Sequence, residues 1–230
     1  MAKYNSIFDI LGPIMVGPSS SHTAGAARLG KIARYIADGD IKSAKITLYG
    51  SFAETAKGHG TEMALVAGIL GMEPYDDKLR YSLEIAKEAG IDVLFEKGEI
   101  PGVHPNTARF ALERHDGTHI TVTGSSIGGG AVIVNAIDTF NVELTGDYFT
   151  IVTKHVDKKG IISKVTTLLA DNNINIGNMK VRRDISKNEA SMIIETDEIV
   201  SVEVLGKIKR LEEMIFVIEI KPVRENKNVQ

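Results

Sequence analysis

The residues best able to do chemistry lie in five short loops. The first is Gly17-Pro18-Ser19-Ser20-Ser21-His22-Thr23, directly before an amphipathic stretch. Exposed amides at a helix start, ringed by hydroxyls, suit a small anion such as a carboxylate or phosphate, and an imidazole stands beside them. A plain serine-rich cap reads the same residues without a ligand, with Ser19, Ser20, Ser21 or Thr23 as the capping group. One hydroxyl suffices for capping, however, and three adjacent serines exceed it. The second loop, Lys57-Gly58-His59-Gly60-Thr61-Glu62, also precedes a helical stretch; its glycines allow close backbone approach, and Thr61 is a good cap. The third, Pro101-Gly102-Val103-His104-Pro105-Asn106-Thr107, offers a titrating group in His104 and an amide in Asn106. The fourth, Gly124-Ser125-Ser126-Ile127-Gly128-Gly129-Gly130, has amides to cradle an anion but lacks the spacing of either nucleotide-binding glycine fingerprint, so a bulge or sharp bend is the alternative. Taken together, these four point to one shared polar pocket.

The fifth loop, His155-Val156-Asp157-Lys158-Lys159-Gly160, again puts amides at a helix start. With Asn175 on the next strand it would let a small zwitterion's carboxylate meet amides and its ammonium meet an oxygen, unless it is simply a surface turn. His115 and His119 flank a turn and read as surface residues. No Gly-x-Ser-x-Gly elbow follows a strand, so a Ser-His-Asp hydrolase is set aside.

These loops need elements to hold them. In the last third, Tyr148 to His155 reads as a strand, and Ile161, Ile162, Val165, Leu168 and Leu169 recur at helical spacing up to Asp171-Asn172-Asn173. Two strands follow, Ile174 to Arg182 and Ala190 to Thr196, then a helix over Val200 to Arg210 and a strand over Ile215 to Val223. The order βαββαβ folds into a ferredoxin-like sandwich with two helices on one face of an antiparallel sheet. Upstream, Ala26, Leu29, Ala33, Ile36 and Ala37 share one helical face, and Asp38-Gly39-Asp40 stops that helix. Strands are expected over Ser43 to Ser51 and Ile91 to Glu96, and helices over Thr61 to Leu70 and Asp76 to Ala89. A hairpin is expected around Asp116-Gly117, and an apolar run, Ala131 to Ile137, closes the region. The fold class is therefore α+β or mixed α/β: a mixed domain over 1–146, a ferredoxin-like domain over 147–223 and a polar tail over 224–230.

Composition bounds the function. The apolar share of 43% and charged share of 25% are those of a globular chain with a sizeable core. Lys and Arg number 27 against 30 Asp and Glu, so no basic excess points to nucleic acid. The most apolar stretch, Ala64 to Met72, is about half the ~20 residues needed to cross a bilayer, and the N-terminal residues lack a signal peptide's apolar region. A cytoplasmic location without membrane attachment is expected. There are no cysteines, which removes thiolate nucleophiles, Cys-ligated zinc and Cys-held iron–sulfur clusters from this chain.

With those residues laid out, the whole chain resembles the β subunit of bacterial iron–sulfur-dependent L-serine dehydratase. The resemblance rests on SIFDILGPIMVGPSSSHTAGAARLG, FAETAKGHGTEMALVAGILG, PGVHPNTARF and TGSSIGGG in order, followed by an ACT-like βαββαβ module. Gly60 stands where many single-chain members carry a histidine. The first domain also resembles the allosteric substrate-binding domain of some phosphoglycerate dehydrogenases, which does no elimination chemistry.

The resemblance implies deamination of L-serine to pyruvate and ammonia with a [4Fe-4S] cluster, one iron of which binds substrate. A chain without thiolates must leave that cluster to a cysteine-bearing α subunit. It further implies His22, His59 and His104 as imidazoles facing the partner's cluster, one of them the base. Ser19, Ser21, Thr23, Asn106, Ser125 and Ser126 would hold substrate carboxylate or ammonium, and Asp157, Gly160 and Asn175 an amino-acid effector, with homodimerisation through the ACT-like domain. The competing expectation is a purely regulatory, amino-acid-sensing subunit.

Overall fold

The computed structural model describes residues 15–56 and 58–223. The start of the first motif (residues 1–14), Lys57 of the second loop and the polar tail over 224–230 lie outside the described residues. The chain divides into two compact units, Met1–Thr145 and Gly146–Gln230.

The first unit is built on a six-stranded sheet. Its strands are β1 (Ile41–Tyr49), β2 (Asp92–Gly98), β3 (Thr107–Arg114), β4 (His119–Gly128), β5 (Ala131–Ile137) and β6 (Phe140–Leu144), in the order β2-β1-β3-β4-β5-β6. Only β1 and β2 run parallel; every other pair is antiparallel. The amphipathic helix α1 (Ala26–Ala37) packs on β3, β4 and β5. It buries Leu29, Ile32, Ala33 and Ile36 in a core shared with Ile46, Leu48, Phe110, Leu112, Val122 and Val134.

Beside α1 lies α3 (Thr61–Ile69). Their backbones touch: a Cβ on Gly30 would lie 2.1 Å from the Leu65 carbonyl oxygen, and one on Gly68 would lie 2.0 Å from the Ala27 carbonyl oxygen. Later residues of α1 meet later residues of α3, as where the Arg34 guanidinium donates to the Ile69 carbonyl at 2.9 Å. The two helices therefore run the same way and begin at the same end.

Four expectations change. The serine-rich loop is itself helical: Ser20–Gly25 forms a π-helical turn leading straight into α1, and small residues at Ala24 and Gly25 admit its wide spacing. The strand expected to reach Ser51 stops at Tyr49, because Gly50, at φ 52°, turns the chain into a short helix, α2 (Ser51–Thr55). The helix expected over Asp76 to Ala89 is broken. Asp76 caps a tight 3-10 turn (Asp77–Tyr81) by accepting the Lys78 amide at 2.9 Å, and α4 (Ser82–Glu88) starts only after Tyr81 leaves helical geometry. Finally, β6 pairs Phe140 with Ile137 through a turn in which Asp138 adopts φ 49°.

The second unit has β7 (Phe149–Val156), α5 (Ile161–Ala170), β8 (Ile176–Asp184), β9 (Glu189–Thr196), α6 (Val202–Lys209) and β10 (Met214–Ile220). Its sheet is antiparallel in the order β10-β7-β9-β8, the ferredoxin-like arrangement expected. Ile161, Val165 and Leu169 of α5 and Val204 and Ile208 of α6 close over Ile151, Met192, Ile194 and Val217.

The glycine contact yields the first prediction. Gly68→Ala forces a methyl into the Ala27 carbonyl and should cost about 2–3 kcal/mol. Gly206→Ala, whose new Cβ would meet nothing nearer than the flexible end of Arg210 at 3.6 Å, should instead gain up to about 1 kcal/mol. Urea unfolding of the full chain compares the two; equal effects would contradict the close crossing.

Candidate active site

His22 lies in the π-helical turn and is buried, with 7% of its surface exposed. Ser19 caps that turn by accepting the His22 amide at 3.3 Å, and its hydroxyl also sits 3.3 Å from His22 Nδ1. On the other side of the ring, Nε2 lies 3.0 Å from Thr55 Oγ1 and 3.4 Å from Ser51 Oγ, both on α2. The ring packs edge-to-face on Phe52 at 5.1 Å and on the His59 ring at 5.0 Å. Burial holds the His22 imidazole below its ordinary range, the neighbouring His59 adds to that, and the Ser51 backbone partly opposes it. Ser51, Phe52 and Thr55 escape a reading of the sequence. Their only local signal is the four-residue spacing of Ser51 and Thr55, which matters once α2 is known to be helical.

His59 differs from its neighbour in being exposed. It precedes α3, which begins at Gly60 in the left-handed conformation (φ 69°) with no side-chain cap. Thr61 is not the cap; it is the first helical residue, fully buried, and its hydroxyl has no hydrogen-bond partner.

The third and fourth loops meet one another. Thr107 donates its hydroxyl hydrogen to the His104 carbonyl at 2.7 Å, so the 2.7 Å contact between the Thr107 and Ser125 hydroxyls must be donated by Ser125. Ser125 is thereby committed to bracing the loop. The Ser126 amide donates to the Asn106 carbonyl at 2.9 Å. Two buried oxygens remain without partners here among the described residues, Ser126 Oγ and Asn106 Oδ1. Ser126 reaches the π-helical turn, since a Cβ on Gly25 would fall 2.0 Å from its hydroxyl. The third loop also leans on α2: the Phe52 amide donates to the Pro105 carbonyl at 3.2 Å, and a Cβ on Gly50 would approach the Pro105 Cα to 2.7 Å. His104 is exposed, and its Nδ1 accepts the Asn106 amide at 3.2 Å.

Thus the structure brings His22 and His59 into contact and braces the loop of His104 against the helix that holds His22. Among the expected substrate contacts, Ser21 is half-buried on the π-helical turn, and Ser126 and Asn106 keep unpartnered oxygens. Thr23 is 2% exposed and packs over Gly17, where a Cβ would lie 2.3 Å from its hydroxyl, and Ser126 is fully buried against Gly25.

In the second unit the three expected effector residues do not meet within one chain. Val156 is paired with Glu189, and β8 ends beside it at Asp184, so Asp157 and Gly160 lie at that end of the sheet. Ile176 and Phe149 both pair with Thr196, which puts Asn175 at the opposite end, roughly eight residues or 25 Å away at strand spacing. The parallel sense of β7 and β8 requires it. Asp157 accepts the Arg183 guanidinium at 2.6 Å, while Asn175 donates to Asp197 at 2.6 Å. Glu213 ties down the 157–160 loop: it is 6% exposed and lies 3.1 Å from both Lys158 and Lys164, and these hydrogen bonds pull its carboxyl down to about 2.

Among the described residues no helix is long and apolar enough to cross a membrane. Comparison with known proteins gives a match to the Serine dehydratase beta chain family over residues 6–88 and to the ACT domain over residues 149–213. A Bacillus subtilis protein named "Probable L-serine dehydratase, beta chain" is 40% identical over 218 residues, 95% of this chain and 99% of that protein. The "L-serine dehydratase, beta chain" of Peptoniphilus asaccharolyticus is 40% identical over 194 residues, 84% of this chain and 87% of that protein. A D-3-phosphoglycerate dehydrogenase of Synechocystis is 26% identical over 81% of this chain, but the match spans only 34% of that longer protein.

Two pH effects follow. His22 binds its proton less readily folded than unfolded, so its contribution to stability is present above the ordinary imidazole range and lost as pH falls through about 6.5. His22→Gln should flatten the decline in Tm between pH 7 and 5. Glu213, depressed to about 2, contributes above about 4.5 and loses that contribution as pH falls toward 2. Glu213→Gln should therefore be less stable than wild type at pH 7 and approach it in acid, as followed by urea unfolding at each pH.

Proposed function

The chain belongs to the L-serine dehydratase β-chain family, and we propose from that premise that it completes a composite, cytoplasmic active site deaminating L-serine to pyruvate and ammonia. In this reading residues 1–146 form the catalytic half and 147–223 the ACT-like half. A [4Fe-4S] cluster, which supplies a Lewis acid for the departing hydroxyl, is held by a cysteine-bearing α subunit. Such a cluster does not fit this chain's own donors. The sequence has no cysteine, and among the described residues no three His, Asp or Glu side chains converge to hold a metal. This chain's share is the handling of substrate and protons.

The observation that carries the reading is the 5.0 Å contact of His22 with His59 at the shared end of two helices, beside loops holding unpartnered oxygens. An imidazole can take and return a proton near neutral pH. His59, the exposed member, is the group we assign to the proton on the substrate's α-carbon, with His22 behind it; His104 is the third imidazole toward the partner. Asn106 Oδ1 suits the substrate ammonium, and the hydroxyls of Ser126 and Ser21 suit its carboxylate. Ser19 keeps a lone pair but no free hydrogen, and so suits an ammonium as well.

The ACT match supports a second, compatible role in sensing an amino acid. Asp157 and Gly160 of one copy would meet the ligand. Because Asn175 lies at the far end of the same sheet, it would join them only from a second copy, which is consistent with homodimerisation through this unit.

Anaerobic co-production with the cysteine-bearing partner, followed by a serine-to-pyruvate assay, tests the proposal. His59→Ala and His22→Ala should each lower kcat by about a hundredfold or more while the two chains still co-purify. Asp157→Ala should shift only the response to added amino acid. Full activity in the His22, His59 and His104 variants alike would leave the regulatory reading standing instead.

A further inference from the structure

The hydroxyls around His22 settle which of its nitrogens carries the hydrogen. Thr55 has one hydroxyl hydrogen and donates it to the Ser51 carbonyl at 2.8 Å. Toward His22 Nε2, 3.0 Å away, Thr55 can then only accept, so Nε2 bears the hydrogen. Ser51 Oγ, at 3.4 Å, offers the same hydrogen a second, longer acceptor. At the opposite edge Ser19 accepts the His22 amide and directs its own hydrogen to Nδ1, both at 3.3 Å. The other tautomer would set a Thr55 lone pair against a bare Nε2 at 3.0 Å, or else break the Thr55 bond to Ser51. The ring is 7% exposed, so little water is at hand to repair either fault.

We propose that Thr55, assisted by Ser51, is a positioning residue of the reaction: it locks His22 as the Nε2–H tautomer, and that fixed ring holds the His59 imidazole edge-on. This rests on the dehydratase reading for its kinetic consequence, whereas the lock itself does not. His22, with both nitrogens engaged inside its own chain, is likewise a positioning residue, and His59 alone of the pair faces outward. Phe52 closes the other contact on the His22 ring, so the imidazole is fixed by hydrogen bonds at two edges and by rings at two sides. The arrangement follows the general logic of an orienting group behind a histidine.

The test reads tautomer and turnover separately. Long-range proton–nitrogen correlation spectra of the full 15N-labelled chain, with His22→Gln to assign the signals, report the protonation of each His22 nitrogen. Wild type and Thr55→Ser should show hydrogen on Nε2 only, whereas Thr55→Val should move it to Nδ1 or to a mixture. Thr55→Ala gives the same reading if valine crowds Phe52. In the two-chain enzyme Thr55→Val should lower kcat about tenfold or more with KM within about twofold, and Thr55→Ser should restore it. Hydrogen on Nδ1 in wild type overturns the lock, as does an unchanged tautomer in both Thr55→Val and Thr55→Ala. A shifted tautomer with undiminished kcat overturns the positioning role. A wild-type two-chain enzyme inactive on serine counts against the dehydratase reading and leaves the tautomer result to judge the lock.

Discussion

Everything at the candidate site depends on two helices meeting with nothing between their backbones. Gly30 and Gly68 lie where any side chain would strike a carbonyl at about van der Waals overlap, so α1 and α3 approach more closely than helices bearing larger residues can. Polar contacts accompany this crossing, among them the Lys31–Glu73 ion pair and the Arg34 bond to Ile69. An ion pair partly open to water contributes up to about 1 kcal/mol, whereas a methyl forced into either carbonyl costs about 2–3 kcal/mol, so the crossing tolerates loss of the charge pair better than a side chain at Gly30 or Gly68. Because the helices run in the same sense, their starts lie together. His22 sits in the π-helical turn that leads into one and His59 just ahead of the other, which is how residues 37 positions apart come to share a 5.0 Å contact.

The sheet supplies the second constraint. β1 ends at Tyr49, Gly50 follows at φ 52°, a backbone conformation that favours glycine, and that turn sets α2 against Pro105. β3 and β4 are locked at their mouths by the Thr107–Ser125 hydroxyl pair, which holds the His104 carbonyl. The polar groups of these loops thus fall into two kinds. Some spend their hydrogens inside the loops: Ser19 on the His22 ring, Thr55 on the Ser51 carbonyl, Thr107 on the His104 carbonyl and Ser125 on the Thr107 hydroxyl. Others, Ser126 Oγ and Asn106 Oδ1, are buried with nothing to bond. A buried oxygen costs on the order of 1–3 kcal/mol unless water or another polar group meets it.

How far the sequence discloses this architecture depends on whether a feature is periodic or long-range. The helix over Ile161–Ala170 follows from apolar spacing alone, and the βαββαβ order follows from the alternation of such segments. The motif loops are equally visible, since Ser, His and Gly cluster there. What hides is conformational or contextual. The helix α2 is five residues long, too short for any period to register. The turn before β6 uses Asp138 at positive φ without the Asp-Gly signature that marks the hairpin at Asp116-Gly117. The partners of His22 come from a different element, and no local rule joins Ser51 and Thr55 to a histidine some thirty positions away. The place of Asn175 in the fold is hidden in the same way. It follows the helix that follows Asp157, which suggests proximity, but a strand and a helix of similar length return the chain to the end from which it started.

Burial then decides how two adjacent imidazoles divide their work. Two unit charges about 5 Å apart repel by about 1 kcal/mol in water and about 3 kcal/mol at an effective dielectric of 20, so the pair resists carrying two protons at once. Which ring stays neutral is settled by desolvation, and His22 is the buried one. Its neutrality relieves His59 of a charged neighbour, while the hydroxyls at both its edges prevent it from turning. A ring whose proton is disfavoured by burial and whose two edges are held is better suited to orient a neighbour than to exchange protons itself. The exposed imidazole at 5.0 Å is then the side of the pair open to solvent, and His104, also exposed, lies on a loop braced against the same short helix.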